Sequence, residues 1–135
     1  MKYNIPENAT ILSITDNYSK ECRYYNLTGL KIETDKGNIE LLISDNQCCC
    51  ENWDALFLET PDDLSKIIGA KLIEVSDIEI NTQEYDQNSC ELGETQLRVV
   101  TTKGIIQFAI YNEHNGYYSH ATFLQVFDTN EDGDL

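Results

Sequence analysis

Apolar and polar residues alternate along most of this chain, a period-two pattern that predicts a protein built mainly from β-strands. Two segments show it most clearly, and each has a glycine turn at its centre. The first predicted hairpin runs from Leu30 to Ile43 around Gly37, and the second from Leu97 to Ile110 around Gly104. The two align with a constant offset of 67 residues, from Leu30 to Leu97. Internal duplication and chance likeness of two alternating hairpins both explain that offset.

The rest of the chain adds three strands and two polar segments. The predicted strands are Ile11–Ile14, Leu72–Ile80, which alternates through Val75 and Ile78, and Tyr117–Phe127, which we expect to pair with Ile105–Asn112. Residues Asn81–Glu94 are mostly polar and predict an exposed loop. Residues 128–135 predict a disordered acidic tail, which leaves residues 1–127 as a single β-rich domain.

One segment has the signals of a helix. Thr60 suits the N-cap, Pro61 suits the first helical position, and two aspartates complement the positive end of the helix dipole. Apolar residues then recur on one face up to Gly69, which predicts the helix end. The predicted fold class is therefore α+β, mainly antiparallel β with one short helix, in a single compact domain.

The charge balance restricts the partners. Of 135 residues, 24 are acidic and 9 basic, so the net charge is −15. Such a surface repels nucleic acid, and we expect no direct nucleic-acid binding. The sequence contains no membrane span and no signal peptide, which predicts a cytoplasmic location in the cell that makes the protein.

A strongly acidic surface steers basic proteins toward it, although acidity also serves solubility alone. The carboxylates accumulate between Lys71 and Arg98, where no basic residue occurs. An exposed tyrosine beside them would add affinity. The predicted partner-binding residues are Glu74, Asp77, Glu79, Glu84, Asp86 and Tyr118.

Cysteine and histidine are clustered. Three of the five cysteines are adjacent, at positions 48–50, and the only two histidines are His114 and His120. An odd number of cysteines in a chain without a secretion signal favours reduced thiols over disulfides. Each cluster follows the end of one hairpin, so the two clusters meet if the hairpins share a sheet or a sandwich. Two thiolates and two imidazoles form the tetrahedral shell of structural zinc. Buried cysteines also occur as small core residues without a metal.

An extended backbone would present Cys48 and Cys50 together, whereas a tight turn would present Cys49 and Cys50. A cysteine, a histidine and an asparagine could also form a thiol enzyme. However, no cysteine is placed to be activated at a helix N-terminus, and three adjacent thiols suit a metal better. We therefore predict no enzymatic activity.

Two motifs resemble those of a small phage and mobile-element domain family. The first is C-C-E-x-W, at Cys49 to Trp53, and the second is Y-N-x-H-N-G-Y-Y-S-H, at Tyr111 to His120. The resemblance covers most of residues 27–126. It implies that the zinc ligands are Cys49, Cys50, His114 and His120. Cys48 lies outside the motif, so which of the adjacent thiols ligate remains open.

Some small acidic phage proteins of this kind are similar to anti-CRISPR inhibitors of type II systems. The resemblance thus implies a protein that blocks a basic host defence nuclease, Cas9, whose positively charged channel suits an acidic partner. The alternatives are a metal-dependent enzyme and a structural phage protein without inhibitory activity.

Overall fold

Two antiparallel sheets form the protein in the computed structural model, which describes residues 1–22, 25–46, 52–83, 91–114 and 120–135. The strands are β1 (Ile11–Glu21), β2 (Asn26–Thr34), β3 (Gly37–Ser44), β4 (Asn52–Glu59), β5 (Leu72–Gln83), β6 (Glu91–Thr101), β7 (Gly104–His114), β8 (Ala121–Val126) and β9 (Thr129–Asp134). The first sheet has the order β1-β2-β3-β8-β9 and the second β4-β7-β6-β5. The expected architecture, mainly antiparallel β in one small domain, is confirmed.

The core lies between the two sheets. Strands alternate sides, so every second residue of β2, β3, β6 and β7 faces the opposite sheet. These inward positions are apolar and almost fully buried: Leu30, Ile32, Ile39, Leu41, Ile43, Leu97, Val99, Ile106, Phe108 and Ile110. Both predicted hairpins are therefore present, and together they supply most of the buried apolar surface.

The two hairpins end in the same turn. In the first, the Thr34 hydroxyl donates to the Gly37 carbonyl at 2.6 Å and accepts from the Lys36 N–H at 3.1 Å. In the second, the Thr101 hydroxyl makes the corresponding bonds to Gly104, at 2.7 Å, and to the Lys103 N–H, at 3.1 Å. Both glycines have positive φ, 141° and 149°. The offset seen in the sequence thus corresponds to a structural repeat.

The repeat extends to the strands that precede the hairpins. β1 pairs with β2 and β5 with β6, and both pairings shift register after their first residue. Where β1 and β5 begin, the Ile11 N–H donates to the Ala70 carbonyl and the Leu72 N–H to the Ala9 carbonyl, each at 2.9 Å. These reciprocal bonds join corresponding positions at the starts of β1 and β5.

The fourth strand of each half is exchanged between the sheets. β4 follows β3 along the chain but pairs with β7, and β8 follows β7 but pairs with β3. The prediction that Tyr117–Phe127 pairs with Ile105–Asn112 is therefore wrong. β7 is already flanked by β4 and β6, so β8 crosses to the free edge of β3.

The predicted helix is reduced to a single 3₁₀ turn, Leu64–Ile67, capped by Asp63 rather than Thr60. Its bonds join residues three apart, such as Ala70 N–H to the Ile67 carbonyl at 2.9 Å. The Gly69 N–H donates to the Ile11 carbonyl, so it does not make the bond to the carbonyl four residues earlier that an α-helix requires. The described residues contain almost no helix, and α+β describes the fold only roughly.

Two segments predicted to be irregular form strands. Residues 129–134 of the predicted tail form β9, which pairs with the edge of β8, although all six residues are exposed. In the polar segment 81–94, residues 81–83 belong to β5 and residues from Glu91 onward belong to β6. Residues 84–90 lie outside the described part. An exposed edge strand needs no apolar face, so the sequence pattern gave no signal for β9.

Candidate metal and partner-binding sites

The two connections that exchange strands lie at the same end of the sandwich, which we call the crossover end. One follows Ser44 at the end of β3, and the other follows His114 at the end of β7. Across the β4–β7 pair, Trp53 lies opposite Asn112, and the Trp53 ring centroid is 5.4 Å from that of His120. The residues that flank the cysteine cluster and the histidine segment are thus close together.

His120 is held rigidly at the crossover end. It is only 3% exposed, and its Nδ1 lies 2.7 Å from the Ser44 carbonyl oxygen. A carbonyl can only accept, so Nδ1 carries the proton and the ring lone pair is on Nε2. The backbone of His120 also exchanges two hydrogen bonds with Leu135, at 2.8 and 2.9 Å. A carbonyl that fixes the imidazole tautomer in this way is typical of histidines that bind zinc.

Trp53 presents a buried donor beside His120. Its indole Nε1–H is buried and has no hydrogen-bond partner among the described residues. Leaving such a donor unsatisfied costs about 1–3 kcal/mol. The neighbouring Asn112 is fully buried and donates from Nδ2 to the Leu135 carbonyl at 3.0 Å. The crossover end is therefore polar in its interior and suited to an acceptor such as a thiolate.

The four predicted zinc ligands differ in how far the structure describes them. His120 is described in full. His114 is the last residue of β7, paired with Glu91, and its side chain lies outside the described part. Cys49 and Cys50 lie outside the described residues altogether. The zinc shell accordingly stays a prediction.

Of the six predicted partner-binding residues, three lie in the described part. Glu74 is 35% exposed, with Lys2 at 3.6 Å, and Glu79 is exposed. Asp77 is only 7% exposed, which leaves little of its side chain available to a partner. The remaining three, Glu84, Asp86 and Tyr118, lie outside the described residues.

Asp77 is buried because it lies on the inner face of β5. Asp77 pairs with the core residue Leu97, and directly opposed residues of an antiparallel pair share a face. It therefore faces inward. The next residue, Ile78, faces outward and is 58% exposed. A carboxylate thus occupies an inward position while an isoleucine contacts water.

Asp77 belongs to a cluster of three carboxylates that lies between the open edges of the two sheets. We call this cluster, Asp77, Glu79 and Glu131, the edge triad. One oxygen from each side chain lies within 4.8 Å of the others. Glu131 is on β9 opposite Leu124, so its side chain is on the inner side of the first sheet. Carboxylates so grouped could hold a metal ion. Sequence reasoning missed Glu131 because it assigned residues 128–135 to a disordered tail.

The first residues of the chain cover one side of the edge triad. The Met1 ammonium donates to the Asp77 backbone carbonyl at 2.7 Å and lies 3.7 Å from Oδ1 of the same residue. The Tyr3 hydroxyl is buried without a hydrogen-bond partner among the described residues. Burial, and then the nearby Asp77 carboxylate, raise the pKa of Tyr3 well above its usual range. The carboxylates of the edge triad add to the effect of burial on Tyr3.

These observations define a class of protein, an acidic antiparallel β-sandwich with exchanged strands. The chain belongs to the family described as a domain of unknown function, DUF7448, whose model matches residues 8–124. No curated protein and no solved structure matches it significantly. Among the described residues, no helix is long and apolar enough to cross a membrane.

Proposed function

We propose that this protein binds and inhibits a basic host protein, a defence nuclease of the Cas9 type, and that a structural zinc ion stabilises it. The observation that carries the proposal is the excess of negative charge, −15 over 135 residues. A positively charged nucleic-acid channel attracts such a protein over long range. The resemblance of the cysteine and histidine motifs to small acidic phage proteins favours this class of target over other basic proteins.

The zinc ion would be held at the crossover end by Cys49, Cys50, His114 and His120. Two features of the described residues support it. The Ser44 carbonyl fixes the His120 tautomer that binds metal, and the buried Trp53 N–H needs an acceptor. Thiolates of a zinc shell accept such hydrogen bonds, so the chemistry of the surroundings fits the proposed ligands. Bound zinc would supply stability by joining the two crossing connections.

Metal analysis of purified, untagged protein tests the zinc proposal. We expect one zinc ion per chain in the wild type and loss of zinc in Cys50→Ser and in His120→Ala. Cys22→Ser is the matched control, because this half-buried thiol is not a proposed ligand. Full zinc content in both ligand variants would contradict the assignment.

X-ray absorption of the bound zinc separates a structural site from a catalytic one. A structural site gives four protein ligands, with Zn–S distances of about 2.3 Å and Zn–N distances of about 2.0–2.1 Å. A ligand position occupied by water would favour the alternative of a metal-dependent enzyme.

Binding to a purified Cas9-type nuclease tests the inhibitor proposal. We expect association to slow with rising salt, because charges steer the encounter, while dissociation changes little. Inhibition of DNA cleavage should follow binding. Absence of binding at micromolar concentrations would favour a structural phage protein without inhibitory activity.

A matched pair of triple variants locates the binding face. The first replaces Glu74, Glu84 and Asp86 with lysine. The second replaces the exposed residues Glu7, Glu59 and Asp128 with lysine. Both change the net charge equally. We expect the first to slow association about tenfold more than the second, because nearby charges dominate steering. Equal effects would mean that overall charge, and not this face, determines binding.

A further inference from the structure

We propose that the edge triad binds a hard divalent cation of the calcium class, at a site separate from the crossover end. The cation would lie between the open edges of β5 and β9 and join the two sheets there. Calcium prefers carboxylate oxygens at about 2.3–2.6 Å and accepts irregular geometry.

The spacing of the carboxylates fits a shared ion. Two oxygens at about 2.4 Å from one calcium ion can be no more than about 4.8 Å apart. Oxygens of Asp77, Glu79 and Glu131 all lie within 4.8 Å of one another. Three ionised carboxylates at this separation repel one another, and a divalent cation removes that repulsion.

Burial of Asp77 is the second and independent observation. Its side chain is 7% exposed, and its Oδ1 is buried without a hydrogen-bond partner among the described residues. The Met1 ammonium, at 3.7 Å from that oxygen, is too distant to donate a hydrogen bond to it. Burying an ionised carboxylate without such partners is costly, and coordination to a metal is one of the ways proteins offset the cost.

Tyr3 supports the same conclusion from a different part of the chain. Its hydroxyl is buried beside Asp77 and makes no hydrogen bond of standard geometry among the described residues, although burial and the interaction with the Asp77 carboxylate raise the pKa of Tyr3. A water molecule on a hydrated cation would satisfy that hydroxyl, since calcium and its relatives keep water ligands. Tyr3 also places an aromatic chromophore next to the site.

The strand pattern distinguishes Asp77 from an ordinary surface carboxylate. Asp77 faces inward on β5 while Ile78 is 58% exposed. Glu131 faces inward on β9, opposite Leu124. Ordinary solubility places carboxylates outward and isoleucine inward, and β5 does the reverse at Asp77 and Ile78.

Thermal unfolding and calorimetry with calcium chloride test the proposal, using the zinc-loaded protein in a constant background of potassium chloride. We expect saturable calcium binding and a midpoint of unfolding that rises with calcium concentration. Glu131→Gln should weaken calcium binding by about tenfold or more, as loss of groups that support a metal does. Glu131 is exposed, so this variant should still fold. Asp77→Asn gives a second test from the other sheet.

Asp132→Asn is the control, because Asp132 is adjacent to Glu131 and, by strand alternation, is on the opposite face. It loses the same charge and should bind calcium as the wild type does. Terbium luminescence excited through tyrosine should appear on binding and fall in Tyr3→Phe. Absence of saturable calcium binding, or equal weakening in Glu131→Gln and Asp132→Asn, would overturn the proposal. The test needs neither a partner nor a change at the crossover end, so its failure is distinct from failure of the inhibitor proposal.

Discussion

Replacing the threonine of each hairpin turn by valine should destabilise the protein by similar amounts. Thr34→Val and Thr101→Val keep the volume of the side chain and remove only its hydroxyl. Both hydroxyls are buried, with 7% and 5% exposure of their residues. Each makes one bond as donor, of 2.6 or 2.7 Å, and one as acceptor, of 3.1 Å.

The expected magnitude follows from the bonds lost. An intramolecular hydrogen bond contributes about 1 kcal/mol net, so loss of two gives about 2 kcal/mol for each variant. The free energy of unfolding from urea titration measures this, because the slope of the titration should not change when only a turn is altered.

Serine variants at the same positions provide the control. Thr34→Ser and Thr101→Ser keep both hydrogen bonds and lose one buried methyl group, which costs about 0.8 kcal/mol. The valine variants should therefore be less stable than the serine variants. If valine costs no more than serine, methyl packing and not hydrogen bonding holds the turn. A difference above about 1 kcal/mol between the two valine variants would refute the equivalence of the turns.

Two further changes test other parts of the fold. Gly29→Ala should cost about 3 kcal/mol or more, since the added Cβ would lie 2.2 Å from the Leu41 carbonyl oxygen at a φ of 155°. Gly133→Ala should cost much less, because the added Cβ would meet only the Thr122 hydroxyl, at 3.0 Å. Equal losses of unfolding free energy for the two variants in urea titrations would contradict this account. The raised pKa of Tyr3 means that the folded protein keeps a proton that the unfolded chain loses above about pH 10, so stability should fall as pH rises beyond that value. Tyr3→Phe should reduce this alkaline loss, and an unchanged loss would show that Tyr3 does not cause it.

The local features of the fold could be predicted from the sequence. Alternation located both central hairpins, and their glycine turns are where the pattern placed them. These elements form between neighbours in the sequence, so local pattern and turn chemistry determine them. The 67-residue offset left duplication and chance likeness open, and the matching threonine bonds show that the two turns correspond in structure.

The long-range features could not be predicted in this way. Alternation does not say which sheet a strand joins, so β8 was paired with β7 instead of β3. β9 has no apolar face because it is an exposed edge strand. The edge triad depends on both facts, since Glu131 approaches Asp77 only when β9 lies beside β8. At the crossover end, the sequence predicted that the ends of the two hairpins would meet, and the contact between Trp53 and His120 agrees with this.

The exchange of strands explains why a metal at the crossover end would matter for stability. Within each half, three successive strands pair with their neighbours, and closing such short loops costs little entropy. β4 and β8 instead pair with strands from the other half, as in the contacts Ala55 to Ile110 and Thr122 to Ile43. Those pairings are the least local in the fold and the most costly in chain entropy. Zinc that joins the two connections would constrain both of them at once, so its removal should loosen β4 and β8 before it affects the two hairpins.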